Sequence, residues 1–430
     1  MAIQDRSTER GSGQRGVALV AVLCALAILG MVVAEFSTDA TIDANAAANA
    51  RDDMQTEFLA RSGANLAQLV IQIQTDVADK LRNQIGDFQL SDYVGLFMGA
   101  FGGGREEVDA MAQLLGGFRG DAIKGLGVAV GGFDVQISTD DGKINMNCAN
   151  GSAETQAALK AQLEGLFYFD AFNPIFENPD AEGWRRDRAT QALAFMDYID
   201  RGNAVYGQEG AMEDYGYETL PERYKPKNNY LDTIGELKLV RGVDDRLWTL
   251  FGDQFTVYGA CQVNIGAVDD PKLIASILFL AAKDPNDPVL RDPIKVWTLA
   301  RAVIDARNLG MIFDKTADFA EFVKNPLGAI GDAYTAAGAA GQTTTPPPNL
   351  GGQTQIEGIE LDTAKLAKIA RSGPRRTYRV EVLATVPRGV EGNGLEYTKR
   401  LTAVWDTKTT NQNMRDPALT KGAWVFWRAE

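Results

Sequence analysis

Seven carboxylates crowd the stretch "DYIDRGNAVYGQEGAMEDYGYETLPE", residues 197–222: Asp197, Asp200, Glu209, Glu213, Asp214, Glu218 and Glu222 lie among glycines, with Arg201 as the sole cation. Hard oxygen donors on a loop suit Ca²⁺, which takes roughly six to eight oxygens and tolerates irregular geometry. The D-x-D-x-D-G spacing of an EF-hand is absent, and a solvated acidic surface is the competing account. A second pair, Asp140-Asp141, has the residue types for general acid–base work, but its place before Gly142 reads as a turn. Of three cysteines, Cys24 lies inside an apolar run, where a small apolar residue is the plain reading. Cys148 and Cys261 remain. In an oxidising compartment they can pair, but two buried thiols fit as well, because sequence cannot say whether their Cα atoms come within about 7 Å. The 430 residues contain no histidine. That removes Ser-His and Cys-His nucleophile activation, imidazole acid–base chemistry and the commonest zinc ligand. A net charge of −14 with no basic cluster argues against nucleic acid as a partner.

The elements that must carry these residues begin with "VALVAVLCALAILGMVVA", the eighteen uncharged residues Val17 to Ala34. They reach about 27 Å as a helix, close to the hydrocarbon thickness of a bilayer. Val32-Val33-Ala34 resembles the end of a secretory signal, yet an amphipathic pattern follows at once: Phe58, Leu59, Leu66, Leu69, Val70, Ile73 and Val77 recur at helical spacings. From Glu35 to Leu81 there is no proline and one glycine, Gly63, so a single long helix is expected. Residues 95–132 are Gly-rich and read as loop with one helical island around 106–115. "FDVQISTDDGKINMN" reads as a hairpin turning at Asp140-Asp141-Gly142. From Ala153 to about Ala370 helical patterns dominate, with Trp184, Trp248 and Trp297 as packing residues and a Gly, Thr and Pro-rich loop at 336–355. Alternation returns in "TYRVEVLATV" and "LEYTKRLTAVW", a closing strand pair. The fold class expected is α+β: a long N-terminal helix on an antiparallel sheet, with a large, mostly helical domain inserted between sheet strands. A weak repeat runs through that domain: "INMNCANGSAETQAALKAQL" and "VNIGAVDDPKLIASILFLAA" each place an Asn (Asn145, Asn264), then a polar N-cap (Ser152, Asp270), before an apolar helix.

The charged leader ending in Gly16, with the apolar run starting at Val17, resembles a type III prepilin signal. The body is similar to the minor pseudopilin K family of type II secretion systems. The matching segments are "QRGVAL", "ARSGANLA", "GKINMN", "DYIDRGN", "GAMEDYGYETLPERYKPKNNYLDTIGELKLVRGV", "VNIGAV", "LARAVIDAR" and the closing strands, spread over nearly the whole chain. The resemblance implies a prepilin leader at 1–16, a transmembrane segment at 17–34, a pilin-like helix, loop and first strands at 35–150, an inserted helical domain at 151–372 and sheet strands at 373–430. It implies cleavage after Gly16 by a prepilin peptidase and methylation of Val17. It implies an inner-membrane, single-pass protein with a periplasmic head that works as a tip subunit with minor pseudopilins I and J, and with H as a further candidate partner. Catalysis is not expected. The family binds Ca²⁺ in its helical domain, and the matching positions are Asp200, Glu213 and Asp214. Most pilins carry Glu five residues after the cleavage site, and Ala21 stands there, as it does in a tip subunit. Gly266 stands where the family has a second Asn and is expected to loosen that turn. Two rival classes stay open: a minor pilin of a type IV pilus, and a membrane-anchored, calcium-dependent enzyme using an Asp or Glu base.

Overall fold

The computed structural model describes residues 13–75, 89, 91, 94, 131–179, 183, 187–207, 215–218, 220, 222–308, 310–331, 356–387, 396–410 and 421–430. Helix α1 (Gly13–Ile73) runs 61 residues without a break, about 90 Å at 1.5 Å per residue. Residues 16–47 are exposed along their whole length. The last third of the helix closes over a sheet, burying Leu59, Ala60, Ala64, Ala67, Val70 and Ile71. The buried face is not the one the large apolar residues suggest: Phe58, Leu69 and Ile73 are 66%, 51% and 42% exposed. Helix and sheet approach too closely for large side chains. A Cβ on Gly63 would lie 2.6 Å from Val382 Cγ1 and 2.9 Å from Phe133 Cδ2, so the helix turns its small residues inward.

The strands are numbered along the chain. β1 (Gly132–Thr139), β6 (Thr377–Pro387), β7 (Glu396–Thr410) and β8 (Lys421–Ala429) form one antiparallel sheet in that order. Alternation along β6 puts Tyr378, Val380, Val382, Ala384 and Val386 against α1, with Leu401, Ala403 and Trp405 beside them on β7. Burying each Val or Leu there contributes about 1.5–3 kcal/mol. β8 has no counterpart in the sequence reading. A register shift between Val404 and Trp405 pairs Trp424 with Trp405 and Trp427 with Ala403, so its aromatic residues fall out of the two-residue period.

The chain leaves this sheet at Thr139 and returns at Thr377. Between them lies a helical block with its own core, separate from the one under α1. Its longer helices are α2 (Ala153–Phe167), α3 (Arg188–Ile199), α4 (Pro271–Ala281), α5 (Pro293–Asn308), α6 (Thr316–Lys324) and α7 (Thr363–Ile369). α4 is apolar on nearly every side, burying Leu273, Ile274, Ala275, Ile277, Leu278 and Ala281, and packs against α2, α5 and α7. Trp248 and Trp297 pack at the edge of this core as expected, while Trp184, Val77, the Gly-rich stretch 95–130 and the 336–355 stretch lie outside the described residues.

The expected hairpin does not form. β2 (Ile144–Asn145) pairs in parallel with β3 (Phe255–Thr256), while β1 pairs with β6. The Asp140-Asp141-Gly142 turn carries the chain from the sheet into the block, because both carboxylates are buried on arginines of the returning chain, Arg371 just before the sheet and Arg379 on β6, and cannot face solvent at a hairpin tip. The repeat is real in three dimensions. β4 (Val263–Asn264) pairs in parallel with β5 (Ala370–Arg371), as β2 does with β3. Asn145 and Asn264 share φ −81° with ψ 106° and 107°. Their Oδ1 atoms accept from the N–H two residues on, at 3.0 and 3.1 Å, and their Nδ2 groups donate to the carbonyls of Gly259 and Gly373 at 2.8 and 3.0 Å. Gly266 does not loosen the second copy. Arg307 from α5 donates to the carbonyls of Ile265 and Val268 at 3.0 and 2.5 Å and holds that turn from outside.

Candidate functional site

The apolar stretch of α1 is long and apolar enough to cross a membrane, and none of it is buried. A core helix of a soluble domain would be covered. Gly16 and Val17 lie in the same continuous helix, with Val17 71% exposed and open space around Gly16. Beyond Ala34 the helix continues into the residues that cover the sheet, so anchor and head share one element.

The acidic segment begins at the C-terminal end of α3. Asp187 caps the start of that helix, accepting from Thr190 N–H at 2.7 Å, and Phe195, Met196 and Ile199 bury its inner face. Asp197 and Asp200 are therefore held at its end, 8% and 7% exposed. Asp197 accepts from the Tyr206 amide at 2.8 Å and Asp200 from the Gly202 amide at 2.9 Å. Burial pushes the Asp197 carboxyl up to about 6, against the Tyr206 hydrogen bond and with help from the Asp200 charge. Burial also raises Asp200. Two amides flank the pair: Asn150 donates to the Ile199 carbonyl at 2.9 Å and Asn228 to the Gly202 carbonyl at 2.6 Å. Each leaves its Oδ1 buried without a hydrogen-bond partner among the described residues. Asn228 holds φ +47°, a left-handed conformation fixed by its N–H bond to the Tyr198 carbonyl at 3.0 Å. Glu213 and Asp214, like Glu209, lie outside the described residues. Among the described residues no three acidic, cysteine or histidine side chains come together as a metal set. Two buried carboxylates and two amides hydrogen-bonded to the backbone thus flank one helix end, and a search for carboxylates alone overlooks the amides.

Cys148 and Cys261 form a disulfide with Cα atoms 5.7 Å apart, bridging 113 residues and tying the first repeat to the strand that opens the second. Gln162 on α2 donates to the Cys261 carbonyl at 3.1 Å. The remaining carboxylate pair, Asp140 and Asp141, faces arginines and backbone amides instead of a cavity and offers no open position for a substrate.

Against known proteins, residues 142–257 match the family model "Type II secretion system (T2SS), protein K". Among curated proteins none matches. A chain of the solved GspK-GspI-GspJ complex from the enterotoxigenic Escherichia coli Type 2 Secretion System is 13% identical, with 89% of this chain and 98% of that chain covered and a TM-score of 0.46. The matched family segment runs from the turn that enters the helical block, through α2, α3 and the acidic helix end, to β3. Over that segment the chain is similar to the type II secretion system protein K family, the minor pseudopilin family that its motifs resemble.

Proposed function

We propose that this protein is a minor pseudopilin that starts assembly of the type II secretion pseudopilus from its tip, with α1 anchored in the bacterial inner membrane and the head in the periplasm. The observation that carries the reading is the build of α1. One uninterrupted helix is bare over a bilayer-length apolar stretch and then forms one wall of the sheet's core, while the first half of the insertion between β1 and β6 matches the protein K family model. In this reading the leader is removed after Gly16, Val17 becomes the methylated N-terminus, and minor pseudopilins I and J, the subunits named alongside the K chain in the solved complex, are its partners. H is a further partner of the same assembly. The protein acts by binding and not by catalysis. Its test is co-expression of the tagged full-length chain with I and J in membranes. The expected result is a complex of all three on detergent extraction. Recovery of the chain alone under conditions where I and J pair with each other would contradict it.

Ca²⁺ belongs to the same proposal. Asp200 and Asp197 are buried, raised carboxylates with no ion pair among the described residues, and the amides of Asn150 and Asn228, each with an oxygen that has no partner among the described residues, are anchored on the backbone beside them, a donor set that fits a hard cation. Asp200 and Asp197 would hold the ion with these amides, and Glu213 and Asp214 would supply the remaining charge. The bound ion would neutralise the carboxylates and hold the segment after α3 against the block.

A further inference from the structure

The two bodies of the head, the α1-covered sheet and the helical block, have separate hydrophobic cores and are joined by two chain crossings, 139–144 and 371–377. Two crossings lying side by side would ordinarily make a hinge. At this place they do not run free. Asp140 and Asp141 have fully buried side chains. Asp140 takes a two-point contact from the Arg379 guanidinium, at 2.7 and 3.3 Å, the Thr256 hydroxyl at 3.0 Å and the Lys143 ammonium at 3.5 Å. Asp141 takes the Arg371 guanidinium, the Arg376 amide at 2.6 Å and the Thr377 amide at 3.2 Å. Arg376 in turn makes a two-point pair with Asp406 on β7, at 3.0 and 3.1 Å. The backbone closes the same knot: Asp140 N–H donates to the Thr377 carbonyl at 3.1 Å and Asn264 N–H to the Asp141 carbonyl at 2.8 Å. Beneath it the fit is tight, since a Cβ on Gly142 would lie 2.1 Å from the Ala267 carbonyl oxygen. The outgoing turn, β3, β5 and the returning strand therefore meet on two carboxylates, with the second repeat tied to the Asp141 backbone.

We propose that this carboxylate–arginine clasp is a rigid joint that fixes the angle between the helical block and the α1-covered sheet, so that displacement of α1 carries the block with it as one body. Apolar packing alone does not set the angle: among the described residues the cores are separate clusters, and the Tyr258 and Phe426 rings that meet across them, centroids 6.0 Å apart, make a non-directional contact. Directional, multiply bonded ion pairs do: buried pairs add little net stability over apolar substitutes, and their best-attested use is to specify one geometry. The joint is independent of whether the acidic end of α3 holds an ion.

The test uses the full chain in lipid nanodiscs, with Cys24→Ala to leave no free thiol and spin labels on Phe58→Cys in α1 and Ile294→Cys in α5, both highly exposed. The distance between the labels is then read by pulsed electron resonance. With the clasp intact one narrow distribution is expected. The variant Asp140→Asn, Asp141→Asn, Arg371→Gln, Arg379→Gln removes the buried ionic contacts, and of the charges that met the two carboxylates through side chains it leaves only the partly exposed Lys143 ammonium. It should at least double the width of the distribution while keeping the far-ultraviolet helical signal. If the fourfold variant does not keep that signal, the pair Asp140→Asn, Arg379→Gln is read in the same way. A folded variant whose distribution is as narrow and as centred as the parent's would overturn the proposal.

Discussion

Two pairs of buried carboxylates in this protein have opposite surroundings. Asp140 and Asp141 sit among Arg371, Arg376 and Arg379. Burial raises the Asp140 carboxyl, but the Arg379 guanidinium, the Lys143 ammonium and the Thr256 hydroxyl together outweigh it and hold the group below the usual carboxylate range. Asp197 and Asp200 are also buried, form no ion pair among the described residues and are pushed up. Buried charge must be matched from somewhere. The first pair is matched within the chain and acts as structure, whereas the second has no ion-pair partner among the described residues and, in the reading proposed above, is matched by a bound cation.

The sharpest way to separate the two regions is to remove one charge from each. Arg379→Met strands Asp140 in the interior, and the expected loss is about 3–5 kcal/mol of unfolding free energy, read from denaturant melts of the head. Asp200→Asn without calcium should have no such effect, since it relieves an uncompensated carboxylate. Equal losses at both sites would erase the distinction.

Calcium gives the next effect. At a free concentration about 100 times Kd, the bound ion adds roughly 2.7 kcal/mol, or several degrees of Tm. Chelation should therefore lower the Tm of the parent head. The variant Asp200→Asn, Glu213→Gln, Asp214→Asn should melt at one temperature with or without calcium, at or above the chelated parent. No shift in the parent between millimolar calcium and excess chelator, with no ion found by elemental analysis, would leave the segment a solvated acidic surface.

Acid gives the smallest effect. The Asp140 carboxyl has a folded pKa below its ordinary value of 3.8, so its stabilisation is complete above about pH 4 and is lost as the pH falls through the depressed folded value. Asp140→Asn combined with Arg379→Gln should therefore flatten the stability profile below pH 4 relative to the parent and leave its slope near pH 7 unchanged. A parent profile already flat below pH 4 would show that the clasp carries no such linkage.

Much of this was legible in the residues. The long helix, the return of alternating strands after the helical block and the repeated Asn before each capped helix follow from period, breakers and caps, which are local. The failures share one cause: partners distant in sequence. The inward face of α1 is set by how closely β1 and β6 approach Gly63, so Ala60, Ala64 and Ala67 outrank Phe58 and Leu69. The turn at Asp141 read as a hairpin because Arg371 and Arg376 lie more than two hundred residues away. The acidic segment gave away its carboxylates but not Asn150 and Asn228, which reach it only through the fold.

The central claim, a pseudopilin whose α1 is both anchor and wall of the head, is tested most directly by mass spectrometry of the intact protein extracted from membranes. The predicted result is a chain that has lost residues 1–16 and begins at methylated Val17, with Gly16→Val leaving the full precursor in the membrane. A chain beginning at Glu35 would contradict it. That product would have shed the apolar stretch as an ordinary secretory signal, and α1 would no longer have an anchor.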